Sequence, residues 1–372
     1  MKIVADDKIP FLEGILEPFA EVVYLAGAKT TAEDVRDADA LITRTRTKCN
    51  AALLSGSKVK FAATATIGYD HFDLDYMKKH HIAWTNAPGC NSSSVAQYIT
   101  SALLNLAVKY NFKLCDKTLG IIGVGNVGSK VARVGRALGM KVLLNDPPRA
   151  ANEGEAGFTG LGTLLRNADI ITVHVPLADD GNYPTYYLAD DEFFDRMKTG
   201  AFFINSSRGE VCDGDALGRA VESNKLAGAI LDVWENEPDI DLDLLKILDY
   251  ATPHIAGYST DGKANGTAMS VNAVAKNLEL PLTDWYPENV PQPKDPLIKA
   301  IDTGDFERDM LSIVNRSYNL ADDSERLHHS PETFEKQRGN YPLRREFHAY
   351  TVEVLSEKLR SALSGLGFQL QD

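Results

Sequence analysis

Six residues restrict this chain more than any others. Gly123-Val124-Gly125-Asn126-Val127-Gly128 follows the apolar run Leu119–Ile122 and precedes an apolar-periodic stretch, Ser129–Leu138, that Gly139 can close as a C′ glycine. Among 28 glycines such a spacing can arise by chance, so the context decides. A strand, a glycine turn and a helix in that order form a dinucleotide-binding turn. Gly123 permits the tight turn, Gly125 lets the backbone approach a pyrophosphate, and Gly128 lets helix and strand pack closely. The helix N-terminus offers free N–H groups and the positive end of its dipole to phosphate. Asp146 lies eighteen residues after Gly128, at the end of the next apolar run. A carboxylate there accepts ribose hydroxyls and repels a 2′-phosphate, which selects NAD over NADP. Arg149, close by, can soften that preference.

The turn sits inside a longer alternation of apolar runs and helical stretches. Runs at Ile3–Ala5, Val22–Leu25, Ala40–Ile42, Phe61–Thr66 and Ile82–Trp84 come first. Serines 92 to 94 then offer N-caps to a helix with Val95, Ile99, Leu103 and Leu106 on one face. A second series follows at Leu119–Ile122, Val142–Leu144, Ile170–Val175, Ala201–Ile204 and Ala229–Val233, with a last run ending near His254. This pattern predicts α/β architecture with two Rossmann-like or flavodoxin-like, doubly wound parallel sheets. Pro281, Pro287, Pro291, Pro293 and Pro296 mark a linker. The polar tail beyond it is too small for a strong core of its own and needs a surface to pack on.

In such sheets ligands sit beyond the carboxyl ends of the strands. Arg208, Glu237 and His254 all fall at predicted strand ends. Oxidising an alcohol needs a base for the hydroxyl proton, and histidine suits that task. A carboxylate can orient the ring and stabilise the imidazolium. An arginine can grip a substrate carboxylate with both arms of its fork. Taken singly, each has a plainer reading as surface charge, loop acid or core histidine; together, downstream of the glycine turn, they point to catalysis. His174, also at a strand end, is a rival base or a residue of the cofactor cleft. His71, His80 and His81 read as surface.

The motifs Gly123–Gly128, Asp146-Pro147-Pro148-Arg149, Asn205-Ser206-Ser207-Arg208-Gly209, Asp232-Val233-Trp234-Glu235-Asn236-Glu237-Pro238 and Thr252-Pro253-His254-Ile255-Ala256-Gly257 resemble the D-isomer-specific 2-hydroxyacid dehydrogenases. The resemblance covers about residues 1 to 280 and implies Arg208, Glu237 and His254 as the catalytic triad. It also implies a substrate domain (1–95 with 256–282) interrupted by an NAD domain (96–255). Ala87-Pro88-Gly89-Cys90-Asn91, Ile255–Ser259, Gly262-Lys263-Ala264 and the tail from Phe334 to Glu346 resemble a branch of that family. That branch acts on a phosphorylated 2-hydroxy acid and carries an extra small α+β dimerisation domain, here 288–372, so a homodimer is implied. Implied substrate contacts are Thr45, Thr66 and Tyr258, with threonine at 45 where serine is expected. Implied NAD contacts, besides the glycine turn with Asn126, are Val127, Val175, Ser206, Ser207, Asp232 and Gly257.

Arg44-Thr45-Arg46-Thr47-Lys48 follows a predicted strand. It reads either as a phosphate clamp, with Arg44 and Arg46 as its arms, or as a solvated loop. An arginine of the tail, Arg344 or Arg345, is either a further phosphate ligand in a neighbouring subunit's site or half of a surface pair. The net charge of −13 argues against nucleic-acid binding. The N-terminus shows no signal core, and no apolar run approaches membrane-spanning length. Four scattered cysteines indicate neither a metal site nor a redox pair and fit a reducing compartment, so the cytoplasm is expected. Two other readings stay open: a relative acting on another acid such as 3-phosphoglycerate, and an NAD-sensing corepressor that does no chemistry.

Overall fold

Strands covered on both faces need unbroken apolar runs rather than alternation, and the short runs of this chain meet that condition. In the computed structural model, which describes residues 1–354 and 356–371, they form two parallel sheets in two compact units. One unit comprises Met1–Asn91 with Ser259–Pro291, the other Ser92–Tyr258 with Gln292–Asp372.

The first unit has β1 (Lys2–Asp6), β2 (Glu21–Leu25), β3 (Ala40–Thr43), β4 (Phe61–Thr64) and β5 (Ala83–Thr85) in the order β2-β1-β3-β4-β5. Every residue of β3 and β4 is buried. The order reverses between β1 and β3, so the loop after β3, which begins at Arg44, leaves from the switch point where ligands of such sheets bind. The Thr260–Asn277 helix packs on β3 and β4, with Val271, Val274 and Ala275 in the same core as Ile3, Ile42 and Ala63.

The second unit holds β6 (Thr118–Ile122), β7 (Lys141–Asn145), β8 (Ile170–Val173), β9 (Ala201–Asn205), β10 (Leu226–Leu231) and β11 (Tyr250–Ala251). They run β11-β10-β9-β8-β6-β7, all parallel. Several strands stop before the apolar runs do. Val175 lies two residues past β8, and Asp232 and Val233 lie just past β10, where loops begin. The Ser92–Lys109 helix is buried on nearly all sides, not on one face. Its serines lie in the first turn instead of capping it, and Ser94 donates to Glu346 Oε1 at 2.8 Å.

The C-terminal segment explains that burial. Its Phe306–Asn315 helix packs on Ser92–Lys109, and its Glu357–Leu366 helix packs on Asn126–Ala137. Ile313, Val314 and Val352 share one core with Ile99, Leu103 and Val131, with Leu311 half-buried against it; Leu355 lies outside the described residues. The surface that this tail requires is therefore supplied by its own chain. The tail also contains β12 (Leu297–Lys299), β13 (Thr351–Glu353) and β14 (Gln369–Gln371) in a small parallel sheet.

Neither reading of Arg344 and Arg345 as an exposed pair or as an arm toward another subunit fits their burial, 3% and 6% exposed. Arg344 donates to Gln97 Oε1 (2.8 Å), Ser94 O (2.6 Å) and Ile255 O (3.2 Å), and its guanidinium lies 3.8 Å from the centre of the Tyr318 ring. It ties the tail to the Ser92–Lys109 helix and to the backbone next to His254. Hydrogen bonds from a buried charge are strong, and their acceptors are left dry when it is removed. Arg344→Ala should therefore lower the unfolding free energy by about 2–4 kcal/mol, measured by urea denaturation; a loss under about 0.5 kcal/mol would contradict this role.

Candidate active site

The glycine turn needs its glycines for separate reasons. Gly123 has φ +84, and a Cβ there would stand 2.5 Å from His174 O. A Cβ on Gly128 would stand 1.9 Å from Gly123 O, so strand and helix could not approach. At Gly125 a Cβ would meet nothing within 4 Å, and no side chain caps the Asn126–Ala137 helix that begins there. Open space before an uncapped helix N-terminus fits a pyrophosphate. Asp146 braces the turn: Oδ2 accepts Val124 N–H at 2.8 Å and Oδ1 accepts Arg149 N–H at 3.0 Å. The Arg149 guanidinium donates to Val124 O (2.5 Å) and pairs with Glu153.

On the next strands, Asn205 ends β9 and organises the loop after it. Its Oδ1 accepts the N–H and hydroxyl of Ser207, and its amide donates to Arg208 O. The Ser206 hydroxyl oxygen, in the loop just past β9, is buried with no partner among the described residues, an unmet polar group of the kind a bound ligand can satisfy. The Arg208 loop is pressed onto the Glu237 loop, because a Cβ on Gly209 would fall 2.0 Å from Trp234 O.

His254 and Glu237 meet. His254 Nδ1 stands 2.8 Å from Glu237 Oε2 and 3.1 Å from Oε1, while Oε1 also accepts Trp234 N–H at 3.0 Å. The contact assigns the Nδ1–H tautomer and leaves Nε2 as the acceptor. Burial opposes ionisation of Glu237, but the hydrogen bond and charge of His254, the Trp234 N–H and the charge of Arg338 outweigh it and hold the carboxyl below its ordinary value. His254 has φ 55, an uncommon conformation for a residue with a side chain. Asp232 maintains it. Buried at 1% exposure, its carboxylate accepts the Thr252 hydroxyl (2.6 Å), Ile255 N–H (2.7 Å) and Ala256 N–H (2.9 Å), while its backbone oxygen accepts His254 N–H at 2.7 Å. Burial raises the Asp232 carboxyl above its ordinary value despite these bonds.

His174 is no match for this dyad. It contacts Thr172 Oγ1 at 3.1 Å, no carboxylate among the described residues is bonded to it, and burial pushes it down to about 3. In the first unit Arg44 is half-buried, with Nη1 3.4 Å from Lys8 O, and Thr45 and Arg46 are exposed. The Thr66 hydroxyl donates to Gly68 O and meets Thr64 Oγ1. Lys263, on the Thr260–Asn277 helix, is held below its ordinary value by burial and by the charge of Arg44. The sequence carries Lys263 only as part of the Gly262-Lys263-Ala264 motif, and its place beside Arg44 left no local signal. His71 is not a surface residue. It is half-buried 3.4 Å from Thr43 Oγ1, and burial, opposed by Asp70, pushes it down to about 4.

These features agree with comparisons to known proteins. The model of the D-isomer specific 2-hydroxyacid dehydrogenase, NAD binding domain, matches residues 102–256, and a domain of unknown function (DUF3410) matches residues 290–367. The erythronate-4-phosphate dehydrogenase of Bacteroides fragilis is 51% identical over 355 residues, covering 95% of this chain and 99% of the relative. The chain belongs to the erythronate-4-phosphate dehydrogenase family. The Porphyromonas gingivalis member is 42% identical over 99% of this chain and its own full length. A solved D-lactate dehydrogenase of Aquifex aeolicus, in complex with NAD and lactic acid, is 30% identical with a TM-score of 0.62, covering 75% of this chain and 96% of its own. As a member of the erythronate-4-phosphate dehydrogenase family, the chain is an NAD-dependent 2-hydroxyacid dehydrogenase. No helix among the described residues is long and apolar enough to cross a membrane.

The two neutral histidines generate a prediction. Each accepts a proton more readily when unfolded, near 6.5, than when folded, near 4 for His71 and 3 for His174. The stability they contribute is present above about 6.5 and is lost as the pH falls from there, toward 4 for His71 and toward 3 for His174. The urea midpoint should drop over that window, and the drop should be shallower in His71→Asn and His174→Asn. An undiminished drop in both variants would show that other groups cause it.

Proposed function

We propose that this enzyme oxidises 4-phospho-D-erythronate with NAD to 3-hydroxy-2-oxo-4-phosphobutanoate and NADH, a step toward pyridoxal 5′-phosphate (vitamin B6). The observation that carries the chemistry is the 2.8 Å contact between His254 Nδ1 and Glu237, which leaves Nε2 to act. Full-length similarity to erythronate-4-phosphate dehydrogenases supports the choice of acid.

In this reading, the Gly123–Gly128 turn with Asn126 and Val127 holds the pyrophosphate. Asp146 takes the ribose hydroxyls, and Ser206, Ser207, Val175, Asp232 and Gly257 complete the cofactor contacts on the family resemblance. When bound, NAD supplies a hydride acceptor. Arg208 grips the substrate carboxylate and polarises the reacting oxygen. His254 Nε2 takes the hydroxyl proton as the C–H electron pair leaves, and Glu237 stabilises the imidazolium formed. Arg44, Thr45, Arg46, Thr66 and Tyr258 bind the substrate, with the two arginines on its phosphate and Lys263 adding charge beside Arg44. The proposed domains are 1–95 with 256–282 for substrate, 96–255 for NAD and 288–372 for dimerisation, in a cytoplasmic homodimer.

NADH formation with a panel of phosphorylated and unphosphorylated 2-hydroxy acids tests the assignment. Faster turnover of 3-phosphoglycerate than of 4-phosphoerythronate would reassign the substrate, and no turnover of any acid would favour a non-catalytic role. His254→Ala should lower kcat by on the order of 10²–10⁴ and leave NAD binding intact. Arg208→Lys should impair both KM and kcat, because lysine lacks the planar fork. NADP should be a poor substitute for NAD, and Asp146→Ser should narrow the gap; equal efficiency of the two cofactors in the unaltered enzyme would refute the role of Asp146. Sedimentation tests the dimer, and a full-length monomer would exclude it.

A further inference from the structure

One cation near the dyad comes from a part of the chain that the reaction does not otherwise use. Arg338 belongs to the Phe334–Gly339 helix of the C-terminal segment. Its Nη1 lies 4.0 Å from Glu237 Oε2 and 3.1 Å from Glu335 Oε1. Its guanidinium carbon stands 5.8 Å from the centres of the Tyr258 and Phe334 rings. The side chain is 21% exposed, and Nε is buried with no partner among the described residues.

A pair with Glu335, one turn away on the same helix, would form equally well in water and would contribute little. It gives no reason to desolvate a guanidinium and leave one donor unmet, which is costly. The position is explained by what it faces. Among the described residues, the His254 ring and Arg338 are the two basic side chains within 4.0 Å of the Glu237 carboxylate, and of the two only Arg338 carries a standing charge.

We propose that Arg338 is a positioning residue of the dehydrogenase site, through which the C-terminal segment fixes the charge state of the Glu237–His254 pair and the seat of Tyr258. Its positive charge favours ionised Glu237 and opposes protonation of the His254 ring. Burial works against the Arg338 charge, yet Tyr258, Glu237 and Glu335 favour it and raise its own value. Other ionisable groups surround the pair. Asp232, from the end of β10, feels the charge of His254. Arg344 and Tyr341 come from the C-terminal segment, and Tyr341 donates to Asp323 of the Leu320–His329 helix, which Arg326 pairs. Glu335 and Lys336 share the helix of Arg338, and Arg208 follows β9. None of the cations in this set comes as near to Glu237 as Arg338 does.

The inference rests on His254 being the base, so its test includes a measurement that needs no substrate. Diethyl pyrocarbonate modifies neutral imidazole. Its rate of reaction at His254, resolved by peptide mass spectrometry across pH, reports the titration of that ring in the full-length protein. In Arg338→Gln the midpoint should rise by roughly 0.5–1 pH unit, the scale of one partly screened charge a few ångströms away. Arg338→Lys, which keeps the charge, should restore most of that shift. With 2-hydroxy acid and NAD, the acid limb of kcat/KM should move by the same amount in Arg338→Gln, with KM for NAD unchanged. An unmoved midpoint in Arg338→Gln, or equal shifts in the Gln and Lys variants, would overturn the proposal. So would a rise in KM for the phosphorylated acid alone, with the midpoint unmoved, since Arg338 would then be a substrate contact. If the midpoint shifts as expected but the unaltered enzyme oxidises no acid, the positioning role stands and the assigned reaction fails.

Discussion

The site depends on a carboxylate that need not touch the substrate. Asp232 sits at the end of β10 and collects the Thr252 hydroxyl and two consecutive backbone N–H groups that follow His254. Those bonds offset the cost of holding His254 at φ 55 and of burying an acid. The network extends outward in ordered steps. Thr252 meets the hydroxyl of Tyr98 from the Ser92–Lys109 helix, and the indole N–H of Trp234 donates to Thr252 O. Trp234 N–H in turn reaches Glu237, so Glu237 and His254 hang from one scaffold of strand ends. A small displacement of the turn would move Nδ1 away from its partner, and geometry of this kind governs general-base catalysis.

The C-terminal segment belongs to that scaffold. It fills the core around the Ser92–Lys109 helix, and Arg344 bonds to the backbone of Ile255, one residue from His254. Here the cover is covalently supplied, and it brings arginines to both flanks of the His254 turn: Arg344 bonded behind it, Arg338 beside Glu237.

The sheets were legible because their strands are unbroken apolar runs set between glycine turns and helical stretches, and Gly123–Gly128 fixed where the second sheet begins. Arg208, Glu237 and His254 were legible as candidates because each follows a run that reads as a buried strand. Strand ends were less so: Thr66, His174, Val175 and Asp232 continue apolar runs yet lie in loops, and bonds to residues far along the chain, such as those of Asp232, leave no local signal. The strands of the tail, three residues each, are too short to show an alternating period. The burial of Arg344, His71 and the serines of the Ser92–Lys109 helix was invisible for a related reason. Each is polar by type, and only partners more than two dozen residues away make its burial tolerable.

The order of the chain has a consequence for biosynthesis. Each unit is assembled from two stretches, and the stretches interleave: 1–91 waits for 259–291, and 92–258 waits for 292–372. A nascent chain emerging from the ribosome thus leaves the Ser92–Lys109 helix, buried on almost every side in the finished fold, without its Phe306–Asn315 cover until that stretch has been made. Domains that fold as they emerge avoid such a delay. This one leaves a long helix without part of its packing through the translation of about two hundred further residues, so the core around it closes late.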